Sequence, residues 1–436
     1  MSVTHTVSER GGPLRLRDFR LLLAGAAAGQ AGAQITLVAL PLAAVLVLDA
    51  SPLEVGVLTA AETAAFLLIG LPAGAWVDRM RKLPLMIRAD VVRTAAMASV
   101  PLAGIAGVLT MAQLYLVALV TGAATVFFDV AHQSFLPRLL PREQLVAGNG
   151  ALEVVRSSAQ VAGPGLGGGL VQLAGAHLAI AANAVGYALS ALFLLGIKDT
   201  EERPKPVPGA SLTGEVAEGL RFVMRHPLLR VIAAATALGN FLAAILLAVQ
   251  TVFLVRTLEL APTALGLVYS AAAVGGLAGA LCAGAIGRRF GQARVIWLAP
   301  LATGPFAVLW PLSSGGAGAA LFAVASGTVF FGAVVYNVAQ VSFRQSLCPP
   351  RLLGRMNATL RFLMWGTLPL GALAGGALAE GLGPRAALVC CAAGFLLVPL
   401  PLLLSPLRRM RDLPPPADAD AGAEADDVAP AGVDTP

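Results

Sequence analysis

The chain repeats itself across its middle. Pro141, Asn149, Gly163, Gly167 and Gly168 recur, each 208 positions later, as Pro349, Asn357, Gly371, Gly375 and Gly376. A second echo, 210 positions apart, matches Ala73, Gly74 and Ala75 with Ala283, Gly284 and Ala285. Both echoes lie inside long apolar stretches. The repeat therefore describes two homologous halves embedded in a membrane, an arrangement that many transporters build around a central binding site. Composition enters as the test of that reading. With 57% hydrophobic and 12% charged residues and a mean hydropathy of +0.79, the chain lies outside the range of soluble domains.

A bilayer span takes about 20 mostly apolar residues. Cuts at charge clusters and at Pro/Gly/Ser breaks leave twelve such segments, centred near Ala33, Phe66, Met97, Val120, Gln160, Val185, Phe241, Val274, Pro300, Ser326, Thr367 and Gly394. Six precede a polar stretch around Glu201 to Arg225 and six follow it. The expected fold is an all-α integral membrane protein with twelve transmembrane helices in two pseudo-symmetric six-helix bundles. The expected divisions are an N-terminal segment 1–18, a first bundle 19–198, a linker 199–227, a second bundle 228–408 and a tail 409–436. Within the linker, Leu212, Val216, Leu220 and Val223 recur at helical spacing among Glu215, Glu218, Arg221 and Arg225, which predicts an amphipathic helix on the membrane surface. The tail is rich in Pro, Ala and acidic residues and is expected to stay disordered. The pairs Gly70/Gly74, Gly163/Gly167, Gly275/Gly279 and Gly371/Gly375 read first as packing devices that let helices approach closely in lipid.

Arg and Lys concentrate in the short loops that stay cytoplasmic. With both termini inside, 26 of the 30 basic residues fall on the inner face, leaving Arg256 and Arg385 outside and Arg93 and Arg156 within spans. The net charge of +6 then expresses membrane topology and requires no nucleic acid partner. Met1 to Arg20 is polar, and the apolar run from Leu21 is too long for a secretory h-region, so an uncleaved first helix is expected. The four cysteines form neither a CxxC pair nor a disulfide pattern and read as small apolar fillers.

None of the three lysines, Lys82, Lys198 and Lys205, sits in a Gly-Lys-Ser/Thr loop, so the chain by itself is no ATP-driven pump. No HExxH pair occurs and the four histidines are scattered, leaving a membrane metalloenzyme without ligands. No metal, cofactor or enzymatic activity is expected. An ion gradient remains as the ordinary driver.

The loop Gly74-Ala75-Trp76-Val77-Asp78-Arg79-Met80-Arg81-Lys82 is similar to the Gly-x-x-x-Asp-Arg-x-Gly-Arg-Arg signature of the major facilitator superfamily. Arg81 stands where the signature has glycine, and the internal copy Gly284 to Arg289 has Arg288 at the aspartate position. Gly163-Pro164-Gly165-Leu166-Gly167-Gly168 resembles the Gly-Pro signature of that superfamily's antiporters. Phe128-Asp129, Leu136-Pro137, Asn149, Asn357-Ala358-Thr359-Leu360-Arg361 and Pro369-Leu370-Gly371 resemble its macrolide-efflux and siderophore-exporter branch. The resemblance runs from about Leu14 to Arg411. It implies a cavity lined by the first, fourth, seventh and tenth spans, with Gln30, Gln34, His132, Asn240, Tyr336, Asn337 and Gln340 as candidate cavity residues. It also implies an inner gate built on Gly74, Asp78, Arg79, Arg81, Lys82 and Arg88.

Elementary physics offers a role for each group. Asp78 can accept hydrogen bonds from Arg79, Arg88 or a helix N-terminus, and could equally be one of a solvated loop pair. Pro164 lacks an N–H and should bend or loosen its helix among glycines, as a hinge or as a tolerated kink. Glu62 has Ala60, Ala61, Ala64 and Ala65 around it. Such surroundings favour the neutral acid, which suits a proton carrier or a structural hydrogen-bond donor. Asp129, one turn from His132 and Gln133, is the second proton-coupling candidate beside Glu62, although an inner gate suits it better, while Glu153 and Arg156 are spaced to pair along one helix face. The amides Gln30 and Gln34 share a face and serve a neutral ligand or interhelical bonding equally well.

The expected function is proton-coupled efflux of a moderately hydrophobic small organic molecule by a protein working as a monomer in the bilayer. Importing a solute on the same fold is the alternative. A transport-inactive sensor or a membrane enzyme would need a regulatory domain or a catalytic constellation. Scarce Lys beside abundant Arg, Ala, Gly and Pro suggests a GC-rich bacterial gene, hence the cytoplasmic membrane.

Overall fold

A hydrocarbon environment leaves a backbone N–H or C=O no partner outside the chain, so the apolar stretches close their hydrogen bonds internally as helices. The computed structural model describes residues 12–141, 144–198, 212–348 and 353–412. The tail beyond Asp412, the first eleven residues and the linker's 199–211 lie outside the described residues, as do the side chains of Asp78, Val216 and Asn357. No strand occurs among the described residues.

The first six helices are α1 (Arg17–Val47), α2 (Pro52–Asp78), α3 (Lys82–Ile105), α4 (Met111–Leu139), α5 (Leu145–Ala174) and α6 (Ala176–Leu195). The short α7 (Leu212–Arg225) follows in the linker. Next come α8 (Pro227–Thr257), α9 (Pro262–Phe290) and α10 (Gln292–Leu312). The chain ends with α11 (Gly318–Leu347), α12 (Leu353–Trp365 continued by Thr367–Leu382) and α13 (Pro384–Leu403). The fold is an all-α membrane architecture with twelve long helices in two repeated sets of six. Ten segments are apolar and long enough to cross a bilayer by composition alone. The α3 helix misses that mark through Arg88, Asp90 and Arg93, and α5 through its glycines and amides.

The repeat legible in the sequence reappears in the helix bounds. Arg17–Val47 maps onto Pro227–Thr257 at the 210 offset, and Leu145–Ala174 and Ala176–Leu195 map onto Leu353–Leu382 and Pro384–Leu403 at 208. Helix exits repeat as well. Among the described residues, the non-glycine ones with positive φ are Asp49 (48°) and Glu259 (53°), at equivalent positions after α1 and α8. At both, an N–H folds back onto a carbonyl six residues earlier, Ala50 onto Ala44 at 2.9 Å and Leu260 onto Leu254 at 3.0 Å. This is the left-handed helix termination that a short polar residue tolerates.

Contacts divide the chain into two compact units: Met1–Pro208 with Gln250–Ser270, and Gly209–Val249 with Ala271–Pro436. In the first, α1 packs on α5 and α6, α3 on α4 and α6, and α2 on α4. Phe19, Leu22, Val77, Met86, Phe135 and Leu194 form one of its cores. In the second, Ile232, Val295, Ile296, Phe343 and Leu402 form another, and Val223 of α7 is buried against Leu229, Met356 and Leu360.

The small-residue pairs behave as expected at three of four places. Gly163 and Gly167 meet Gln34 and Ile35 of α1, and their repeats Gly371 and Gly375 meet Phe241 and Ile245 of α8. Gly275 and Gly279 meet the backbone of Gly327 and Phe331. Gly70 has open space around it and is no packing device. The absent glycine at Arg81 also proves harmless. Arg81 is extended (φ −68°, ψ 128°), whereas its counterpart Gly291 needs φ 91° and lies against the carbonyl of Arg411, which accepts from Ala293 and Arg294.

Candidate substrate and coupling sites

In the first unit α4 carries most of the chemistry. Its backbone touches α2 where a Cβ on Gly122 would sit 2.5 Å from the Glu62 carbonyl. That contact sets the Glu62 backbone at the α2–α4 seam; the residue is half-buried and its carboxyl has no hydrogen-bond partner among the described residues. Asp129 lies seven residues further along α4, roughly 10 Å by helical rise, so the two carboxyls occupy different depths. Half-buried His132 stacks on Phe128 at 5.9 Å, and its Nε2 is enclosed without a partner. Gln30 and Gln34 are half-buried on α1, and the Cβ of Gln34 is pressed against Gly163.

The Gly-Pro run of α5 is gripped on two sides. Gly163 and Gly167 face α1, while Gly165 and Gly168 face the start of α9. The Gly165 N–H donates to Ser270 Oγ at 3.0 Å. Nearby, Thr263 Oγ1 donates to Gln172 Oε1 at 2.5 Å, and Arg256 Nη2 donates to Asp49 Oδ1 at 2.7 Å and to the Ala50 carbonyl at 2.8 Å. Pro164 leaves α5 continuous from Leu145 to Ala174. The run works here as a two-faced contact strip. Glu153 and Arg156 pair as their spacing predicts, through bonds of 2.9 and 2.5 Å, both largely exposed.

At the α2–α3 turn, Lys82 is buried and its Nζ donates to the Met80 carbonyl at 2.9 Å, closing the end of α2. Arg79 and Arg88 are exposed. The side chains of Gly74 and Asp78 lie outside the described residues.

In the second unit, each of the four sequence-chosen residues has a hydrogen-bond partner. Tyr336 Oη shares a 2.5 Å hydrogen bond with Thr236 Oγ1. Asn240 Nδ2 donates to the Met364 carbonyl at 2.8 Å. Gln340 Nε2 donates to Asn337 Oδ1 at 2.9 Å, leaving Gln340 Oε1 enclosed without a partner. One turn on, Arg344 is buried with Nη1 on Met364 Sδ at 3.5 Å. Tyr336, Gln340 and Arg344 share one face of α11.

Two groups escaped the sequence reading. Arg344 passes for an ordinary inner-face cation in a charge count. The same count places Arg93 within a span but not its partner Asp90; both are buried in α3 as a second pair of charges inside a span, and the cost argument applied to Glu62 would have found the pair. Among the described residues no group of His, Cys, Asp or Glu has the arrangement of a metal site.

A family model described as transmembrane secretion effector matches residues 9–424. The multidrug efflux pump Tap of Mycolicibacterium fortuitum is 27% identical over 92% of this chain and 98% of its own length. An uncharacterised MFS-type transporter of Sinorhizobium fredii is 30% identical over 84% of this chain and 89% of its own. The enterobactin exporter EntS of Salmonella choleraesuis is 27% identical over 65% and 67%. Among solved structures, a bacterial homologue of the iron transporter ferroportin superposes with a TM-score of 0.73 at 18% identity, covering 90% of this chain and 99% of that one. The nucleoside transporter NupG superposes with a TM-score of 0.72 at 12% identity, over 88% and 97%. At those identities the superpositions speak to the fold alone.

Proposed function

The chain belongs to the transmembrane secretion effector family of the major facilitator superfamily, and from that premise we propose that it exports a moderately hydrophobic small organic molecule in exchange for protons. The family is one of membrane transporters, so the protein moves a small molecule and is no enzyme. The observation that carries the export reading is the near full-length similarity to proteins named multidrug efflux pumps. The Gly-Pro strip of α5, packed between α1 and α9, supports it, because that strip resembles the antiporter signature.

In this reading the protein works by alternating access as a monomer in the bacterial cytoplasmic membrane, with the bundles 19–198 and 228–408 as its moving parts. Gln30, Gln34 and His132 of the first bundle and Asn240, Tyr336, Asn337 and Gln340 of the second supply hydrogen bonds to an uncharged ligand. The Asp78–Arg79 loop, with Arg81, Lys82 and Arg88, closes the inner side. Glu62 exchanges the proton. Its carboxyl has no competing hydrogen-bond partner among the described residues, as a group that must alternate between two protonation states requires.

The test is ethidium accumulation in a pump-deficient bacterial host. Cells producing the chain are expected to hold less dye than cells without it, and to lose that advantage when the pH gradient is collapsed. Glu62→Gln should abolish uphill efflux while dye exchange down its own gradient survives in vesicles. Raised dye accumulation in producing cells would instead establish import. A Glu62→Gln protein that still builds a gradient from a pH difference alone would remove Glu62 from the mechanism.

A further inference from the structure

The interior of the first unit holds a buried charged site on α3, outside the Gly-Pro strip of α5. Asp90 and Arg93 are 0% and 5% exposed, and Arg93 Nη2 donates to Asp90 Oδ1. Two buried charges persist only when each keeps compensating partners. Arg93 has partners besides the carboxylate. Its guanidinium carbon lies 4.2 Å from the ring centre of Phe128 on α4 and 4.3 Å from that of Tyr187 on α6. Its Nη1 reaches Thr125 Oγ1 of α4 at 3.5 Å. Asp90 Oδ2 is enclosed and makes no well-formed hydrogen bond, with the Ser190 hydroxyl of α6 as the polar group nearest to the carboxylate besides Arg93.

We propose that this pair is a second proton-binding site of the transporter, with Asp90 taking the proton and Arg93, as a positioning residue, passing the event to α4. The inference rests on the proton-driven reading above. A proton delivered by water would form an O–H bond at Asp90 Oδ2 and neutralise the carboxylate. The guanidinium would then lose its counter-charge and keep its two aromatic faces, which stabilise a desolvated cation. Protonation therefore does not strand a bare cation in the bilayer, the usual penalty for breaking a buried pair. Release breaks the same O–H bond, returns the proton to water and restores the ion pair of Arg93 with Asp90.

The contacts give the event a direction of travel. Phe128 stacks on His132 as well as on Arg93, so a shift of Arg93 acts on the α4 segment that carries Asp129 and His132. The titratable and charged groups facing Asp90 are Arg93 on its own helix and Tyr187 on α6; Asp129 of α4 faces Tyr187 in turn, and His132 reaches the pair only through Phe128. Ser190 of α6 also faces the carboxylate. Glu62 belongs to the separate α2–α4 seam, so the two sites can be tested independently.

Infrared difference spectroscopy on the full-length protein in phosphatidylethanolamine/phosphatidylglycerol vesicles, stepped from mildly acidic to mildly alkaline pH, reads protonated carboxyls directly and needs no substrate. Asp90→Asn should delete one titrating carbonyl band, and Glu62→Gln a different one. Phe128→Leu removes one ring from the cation and makes it depend more on the carboxylate. The Asp90 band should then titrate at lower pH by roughly half a unit to one unit, a shift that a merely structural pair would not show. If Asp90→Asn alone fails to fold, the charge-neutral Asp90→Asn/Arg93→Gln pair takes its place. An unchanged set of bands in the Asp90 variant, with the Glu62 band still titrating, would overturn this inference alone. A parent protein with no titrating carboxyl would overturn proton coupling as well.

Discussion

A methyl group added to Gly266 would lie 2.3 Å from the Pro164 carbonyl oxygen, and one added to Gly168 would lie 2.2 Å from that of Pro262. Those distances make the α5–α9 contact backbone against backbone, where no side chain can yield. Gly266→Val is therefore expected to cost at least the 1–3 kcal/mol typical of overpacking, seen as a lower thermal midpoint of the purified protein. Gly70→Ala faces open space in a helix interior and should be neutral or stabilising by about 0.5–1 kcal/mol. A Gly266 variant as stable as the Gly70 variant would mean that the contact is not tight. At this scale the sequence disclosed which residues were unusual, and their surroundings stayed hidden. Glycine spacing marked Gly70 and Gly163 alike, yet only Gly163 has a helix against it.

Helix α7 shows what one histidine does for an element. His226 stands between α7 and α8, its Nδ1 accepts from the Leu229 N–H at 3.4 Å, and the ring of Phe222 lies 6.4 Å away. Burial holds the imidazole below its ordinary titration range, and only the neutral ring can accept that bond. A folded-state value depressed in this way contributes stability above the unfolded value, about 6.5, and loses it as pH falls through the folded one. Limited proteolysis across the α7–α8 junction should accelerate on acidification below about 6.5. His226→Asn, which keeps an accepting cap without a titrating group, should flatten that dependence. Equal acid sensitivity in the Asn variant would place the switch elsewhere. The helix itself was legible from Leu220, Val223 and their charged neighbours. Its docking partners Leu229, Met356 and Leu360 come from sequence positions that no local period connects.

For the whole molecule, the proposed topology puts both termini and the 199–227 linker in the cytoplasm, on the strength of the arginine distribution. Single cysteines at Ser51, Ser314 and Ser211 in a background free of the four native ones test it with a membrane-impermeant thiol reagent. Ser51→Cys and Ser314→Cys should label in intact cells and Ser211→Cys only after lysis; the reverse pattern would invert the protein. The background should tolerate loss of the exposed Cys282 and Cys390 best. Cys391 is buried and its thiol donates to the Leu242 carbonyl at 3.3 Å, so replacing it with alanine should cost on the order of 1 kcal/mol.

The sequence by itself determined the membrane class, the number of long helices and their duplication. These follow from bilayer thickness and from the obligation of every backbone group to bond within its own segment, both of which are properties of runs of residues. It also carried the family, through short motifs on the α2–α3 loop and α5. Tertiary structure alone decided which polar groups keep partners. Glu62 and Asp90 are both carboxyls inside apolar helices, yet one sits at a half-buried seam and the other lies in an ion pair flanked by two aromatic rings. Tyr336, Gln340 and Arg344 share a face by sequence, and only packing supplies Thr236 and Met364 to meet them. A charge inside a membrane is priced by its neighbours in space, and those neighbours come from other helices, 20 to 100 residues away, where no sequence period reaches.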